Sequence, residues 1–118
     1  MLAEVIVNVS TAMICFTGQC YPALVGKATP LGEYQMVQYR TPIPAYGGTV
    51  LAFKETPSVV FAVHQTINVK GQNRAERLKS NDVRQRVNIT NGCINIEPEV
   101  YRKLVDCCAK SKIRLVKE

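Results

Sequence analysis

Val59-Val60-Phe61-Ala62-Val63 is an unbroken apolar run that ends at His64, and such a run marks a strand buried on both faces. It constrains the chain more than any other stretch, because a doubly covered strand demands a sheet around it. The run is read as a strand from Ser58 to His64, with a partner from Thr49 to Lys54 across the turn Glu55-Thr56-Pro57. Upstream, Glu4 to Val9 and Ala12 to Thr17 are apolar and β-branched and read as an antiparallel pair, with Ser10-Thr11 and Thr17-Gly18-Gln19 as turns. Cys20 to Lys27 continues as a third strand, whose Pro22 places its start at an edge or a bulge. Another strand is expected from Tyr34 to Thr41.

Helical signals are fewer. Asn73 to Ser80 is read as a short helix and Glu97 to Lys110 as a longer one. The longer one has Pro98 in its first turn, Glu97 and Glu99 at its amino end, and Val100, Leu104 and Cys108 on one face. Lys112 to Lys117 alternates as a half-buried closing strand does. These elements make a mainly β domain with short helices, a single domain over residues 1–118. A chain of 118 residues buries roughly two thirds of its unfolded surface without staples.

No apolar run approaches the ~20 residues that a bilayer-spanning helix needs, so no membrane span is expected. Met1-Leu2-Ala3-Glu4-Val5-Ile6-Val7 has neither a basic region nor an apolar stretch long enough for a signal peptide. A removed leader, another export route and retention inside the cell all stay open. Fifteen Lys and Arg against nine Asp and Glu give a net charge of +6. That favours anionic partners such as cell-wall polymers, nucleic acid or acidic membranes, and it equally suits a solvated basic surface.

Six of those basic residues, Lys70, Arg74, Arg77, Lys79, Arg84 and Arg86, fall in one segment with two acids, Glu76 and Asp82. The segment has no interleaved aromatics for base stacking, so no specific nucleic-acid partner is expected. Most of it is read as a solvated helix. Arg84 and Arg86, nearest to residues 90–95, are the positions with the better claim to function. Pro42 to Gly48, stiff at one end and glycine-rich at the other, is read as a plain surface connection. Its functional alternative is a lid whose Tyr46 closes over a substrate.

Five cysteines leave at least one thiol unpaired in the monomer. Cys15 and Cys20 flank a turn and are expected as two buried free thiols, although a bridge is possible in an oxidising compartment. Cys107 and Cys108 are neighbours on a helix, where side chains diverge, and are expected unbridged. With no Cys-x-x-Cys pair and a single histidine, no metal or other cofactor is expected.

The remaining cysteine lies in Thr90-Asn91-Gly92-Cys93-Ile94-Asn95. A Cys in a glycine-containing turn, with one His elsewhere, is the minimum set for a thiolate nucleophile and its base. A thiol near its ordinary pKa of ~8.5 is only a few per cent thiolate at neutral pH, so His64 is needed to raise that fraction. Taken alone, a His beside an apolar run is more often structural than catalytic. Backbone amides around Gly92 and Cys93 are read as the hold for an oxyanion.

Two separated landmarks change that balance. Thr90, Gly92, Cys93, Ile94 and Asn95, read with His64 upstream, resemble the signature of the L,D-transpeptidase catalytic domain, which is His, a variable stretch, then Ser or Thr, His, Gly, Cys, a hydrophobic residue and often Asn. Gly26-Lys27-Ala28-Thr29-Pro30-Leu31-Gly32-Glu33-Tyr34 resembles the family's Gly-Lys, Thr-Pro, Gly, aromatic stretch at Thr29, Pro30, Gly32 and Tyr34. Two departures stand out: Asn91 replaces the family's second His, and Gln65 replaces the Gly after the first.

The resemblance implies an L,D-transpeptidase-type β-sandwich in a periplasmic or cell-envelope setting. It makes Cys93 the nucleophile, His64 its base and Gly92 part of the catalytic turn. Asn91, Thr90, Asn95, Arg86 and Tyr46 would lie along the substrate. The implied substrate is the peptidoglycan tetrapeptide stem, cleaved after the L-centre of its third residue to give an acyl-enzyme. An amine acceptor then yields a 3-3 crosslink or an exchanged D-amino acid, and water yields L,D-carboxypeptidase activity; the acceptor's identity and the oligomeric state stay open. Two other classes fit the same residues. One is a shortened wall-damaging effector delivered into rival cells, and the other is a non-catalytic cell-wall or nucleic-acid binding domain in which Cys93 is structural.

Overall fold

Short β-branched runs separated by turn residues pair here with nearby runs, and two sheets result. The structure, a computed structural model, describes residues 4–118, so the first three residues of the amino-terminal reading, Met1 to Ala3, lie outside the described residues. Strands β1 (Val5–Asn8), β2 (Met13–Phe16) and β3 (Gln19–Pro22) form an antiparallel meander. The β2–β3 turn, Thr17-Gly18, has φ of 50° and 80°, the left-handed pair that matches the twist of a tight hairpin. The third strand stops at Pro22 instead of running to Lys27.

The segment expected as one strand, Tyr34 to Thr41, is two. β4 (Gly32–Gln35) belongs to the first sheet and β5 (Val37–Arg40) to the second, with Met36 as the crossing point. Met36 is 2% exposed and its amide donates to Ser111 O at 3.1 Å. Burying that side chain between the layers, with its amide tied to the chain before the closing strand, turns one β run into the hinge of a sandwich.

The first sheet is completed by the closing strand β9 (Lys112–Val116), which lies between β1 and β4 in the order β3-β2-β1-β9-β4. Its pairing with β1 is parallel and with β4 antiparallel. Its alternation is the expected one, with Ile113 and Leu115 buried and their neighbours out. The second sheet runs β5-β6-β7-β8, with β6 at Thr49–Glu55, β7 at Val60–Gln65 and β8 at Ile94–Ile96. Between them lies one core that includes Val5, Val7, Ile14, Phe16, Leu51, Val63, Ile94 and Ile96.

Helix α1 (Arg74–Leu78) is a short element inside the basic segment. Helix α2 (Pro98–Cys108) lays Tyr101, Leu104 and Cys108 on the core beside β7. The apolar run that organises the sequence is buried only from Ala62 onward; Val59 and Val60 are 40% and 50% exposed. No helix among the described residues is long and apolar enough to cross a membrane.

The cysteine expectations are corrected. Cys15 and Cys20 are directly opposed across β2 and β3, with Cα atoms 4.0 Å apart, and form a disulfide. The tight hairpin itself brings them together. Cys107 and Cys108 are also bridged, at the last turn of α2, and nothing in the surrounding packing accounts for that. Cys93 is the remaining free thiol.

Arg86 also departs from its expected place along the substrate. It is 4% exposed, and its guanidinium donates to the carbonyls of Ala12, Thr11 and Ser80. A buried cation that donates to three carbonyls, with Met13 Sδ also 3.6 Å from Nη2, is a clamp between the β1–β2 turn and the basic segment. Arg86→Met leaves those carbonyls without a donor and is expected to lower the unfolding free energy by about 3 kcal/mol. Urea denaturation measures it, and an unshifted midpoint contradicts the clamp.

Candidate active site

The site is laid out by the parallel pairing of β7 with β8, in register Val63↔Ile94, His64↔Asn95 and Gln65↔Ile96. Strand side chains alternate, so with Val63 and Ile94 in the core, His64 and Asn95 project to the other face. Cys93, two positions before Asn95, shares it. Thus His64 and Cys93, 29 positions apart in sequence, fall diagonally across the β7–β8 pairing, with Cys93 immediately ahead of β8.

The turn that delivers Cys93 is braced from below. Thr90 Oγ1 donates to Cys93 O at 2.6 Å and accepts from Gly92 N at 3.1 Å. Thr29 Oγ1 donates to Gly92 O at 3.0 Å and accepts from Gly26 N at 2.9 Å. Gly92 has φ of 125°, and a Cβ there would run into the Phe61 ring. A Cβ at Gly26 would collide with the Thr90 carbonyl, because residues 24–26 lie against this stretch through bridges from Leu24 to Asn95 and from Gly26 to Thr90. The two sequence landmarks are therefore physically one unit: the Gly26–Thr29 loop is the floor under the Thr90–Cys93 turn.

His64 is 4% exposed, and its Nδ1 lies 2.8 Å from Gln65 O. A carbonyl only accepts, so Nδ1 carries the proton and Nε2 keeps its lone pair. Asn95 Nδ2 faces that Nε2 at 3.4 Å, while its Oδ1 accepts from Arg74 Nη1 at 3.0 Å. The chain Arg74 to Asn95 to His64 thus fixes the amide's orientation and with it the imidazole tautomer. Tyr46 stands edge-on to the His64 ring, centroids 4.5 Å apart. Its loop is pinned to β7 by Gln65 Nε2, which donates to Ala45 O at 2.9 Å.

Cys93 Sγ is partly buried and lies 3.7 Å from Val60 O. Burial pushes its pKa above the ordinary value, opposed by a backbone hydrogen bond from Ala62 and by the charge of Arg74. His64 is pushed the other way, below 6.5, chiefly by burial; the Gln65 carbonyl resists and the Arg74 charge assists. Both shifts favour the uncharged forms. At neutral pH these directions leave an uncharged thiol and an uncharged imidazole, whose Nε2 is the nitrogen able to accept a proton.

Solved structures share this arrangement of strands. L,D-transpeptidase 3 from Mycobacterium tuberculosis, in complex with a faropenem-derived adduct, matches 98% of this chain with a TM-score of 0.70 at 12% identity. The fold is that of the L,D-transpeptidases. An L,D-transpeptidase from Mycobacterium smegmatis matches 96% of the chain at TM-score 0.58 and 19% identity, and one from Xylanimonas cellulosilytica 97% at 0.61 and 13%. The chain spans 60%, 58% and 60% of those three structures, so it corresponds to about three fifths of an L,D-transpeptidase chain. No family model and no curated protein matches its sequence. The expected sandwich is thus found, at identities too low for sequence comparison to register.

The residues proposed from sequence fall into three groups on the L,D-transpeptidase frame. His64, Asn95 and Tyr46 are in contact, and Cys93 lies on the same side of the β7–β8 pairing. Thr90 and Gly92 lie beneath it in the bracing, and Gly92's amide, expected to hold an oxyanion, is given to Thr90. Asn91 is exposed beside the turn, and Arg86 is committed to its clamp. Arg84, the other basic candidate, is exposed and paired with Asp82 at 3.0 Å. Arg74 is not singled out by the sequence. Its only signal there is membership of the basic segment, and it reaches the site from the first residue of α1 through its hydrogen bond to Asn95 of β8. Among the described residues no group of three or more His, Cys, Asp or Glu is placed to hold a metal.

The raised thiol pKa carries a measurable consequence. A group whose charged form is disfavoured by burial ionises later, so iodoacetamide alkylation of Cys93 is expected to keep accelerating from pH 7 through pH 9. A plateau reached below pH 7 contradicts the neutral resting pair, since it would require a preformed thiolate–imidazolium.

Proposed function

We propose that this chain is a cysteine-dependent L,D-transpeptidase of peptidoglycan tetrapeptide stems with appreciable L,D-carboxypeptidase side activity. The observation that carries the reading is a lone free thiol, Cys93, immediately ahead of β8 and set diagonally to His64 across the parallel β7–β8 pairing of this fold. In the reaction, Nε2 of His64 takes the thiol proton as sulfur attacks the carbonyl of the stem's third residue. The imidazolium then protonates the departing amine of the terminal D-alanine as the C–N bond breaks, leaving a thioester. The long 3.4 Å contact from Asn95 is weak enough to be exchanged for the thiol proton. An acceptor amine or water then attacks the thioester, handing its proton to His64 as the thiol is restored.

Transfer needs solvent kept from the thioester. The pinned Pro42–Gly48 loop covers only the His64 side, which favours an open site in which hydrolysis competes. An envelope location fits, and two disulfides favour an oxidising compartment. The net charge of +6 suits an acidic polymer. A wall-damaging effector would use the same chemistry, whereas a binding domain with a structural Cys93 would not.

The faropenem-derived adduct on the mycobacterial protein supplies the test. Faropenem or a carbapenem is expected to add once to the wild type, at Cys93, and not to Cys93→Ala, as read by intact mass. An unmodified wild type, or an equally modified variant, contradicts the reading.

A further inference from the structure

Arg74 is the charge beside His64 and Asn95 that the reaction above does not use, and no carboxylate among the described residues pairs with it. Its Nε donates to Gln72 Oε1 at 2.8 Å and its Nη1 to Asn95 Oδ1 at 3.0 Å. Both acceptors are neutral, and Nη2 makes no hydrogen bond among the described residues. Ion pairs among the described residues join Asp82 to Arg84, Glu33 to Lys112 and Glu4 to Arg114; none reaches Arg74. Yet the residue is half-buried, and its charge is felt by His64 and Cys93, with Tyr46 also in range. A guanidinium partly stripped of water without a counter-ion is unfavourable until an anion arrives.

The neighbours of Arg74 say which anion. Its guanidinium is hydrogen-bonded to Asn95, two strand positions beyond Cys93 and on the same face. A stem that ends one residue past the scissile bond carries its terminal carboxylate carbon roughly 3 to 4 Å from the attacked carbonyl carbon, so the reaction above brings this anion close to Cys93 in every stem it accepts.

We propose that Arg74 binds the C-terminal carboxylate of the donor stem, one residue beyond the bond that Cys93 attacks, so that the site selects stems ending there as free acids. The proposal rests on the acyl-transfer reading of the same site. It makes Arg74 a substrate-binding residue whose fork also holds Asn95 in place.

The test is calorimetric binding to Cys93→Ala, which cannot turn over. Two probes are compared, disaccharide-tetrapeptide with a free terminal carboxylate and the same stem as its C-terminal carboxamide. A charge-assisted pair predicts the acid to bind about 10 to 100 times more tightly. Adding Arg74→Gln brings the two within about twofold, and Arg74→Lys keeps a preference for the acid, with unchanged far-ultraviolet circular dichroism in each. Equal binding of the two stems, binding of neither, or a preference that survives Arg74→Gln overturns the proposal. So does a slower iodoacetamide reaction in Arg74→Gln with the preference intact, which would make Arg74 a tuner of the thiol alone. Penem acylation of the wild type separates the two claims: acylation without a carboxylate preference removes only this proposal, and a carboxylate preference without acylation removes only the acyl-transfer reading.

Discussion

The placement of Cys93 relative to His64 depends on one backbone interaction, the parallel pairing of β7 with β8. Three residues of β8 suffice, because Ile94 and Ile96 anchor it in the core while the alternation of the strand lifts Cys93 and Asn95 to the face that carries His64. A register slip of one residue would turn Cys93 and Asn95 toward the core and take Ile94 and Ile96 out of it. The Gly26–Thr29 loop guards against that from the other side, through the hydrogen bond from Thr29 to Gly92 O and a backbone approach that tolerates no side chain.

Around this frame the polar side chains are ordered by what each can donate or accept. The Gln65 carbonyl fixes the proton on Nδ1 of His64, and Arg74 fixes the Asn95 amide so that its N–H groups face Nε2. The side chains are thus oriented at rest while burial opposes both the thiolate and the imidazolium. In the proposed reaction, charge separates only when a bound stem places a carbonyl to absorb the sulfur's electrons as the proton leaves.

Much of this was legible in the sequence and some was not, for identifiable reasons. His64 and Cys93 stood out because chemistry and motif coincided, and the Thr29-Pro30 stretch because its spacing did. The strand break at Met36 was invisible, since a methionine inside a β-rich run gives no sign that the run changes sheets. β8 was too short for any periodicity. The Cys15–Cys20 bridge depended on hairpin register, which residue types alone do not fix. Arg86 and Arg74 show the limit most plainly: both sit in one basic segment, the one nearer in sequence to the motif is a buried clamp, and the one twelve residues further away hydrogen-bonds Asn95 of β8. Proximity along the chain is the wrong guide here.

The account stands or falls on what the chain does to its proposed substrate. Purified disaccharide-tetrapeptide, incubated with the protein with and without a D-amino acid and resolved by mass spectrometry, is expected to give tripeptide in both cases and exchanged tetrapeptide when the D-amino acid is present. Both products should vanish in Cys93→Ala. Unchanged tetrapeptide under both conditions would contradict the account.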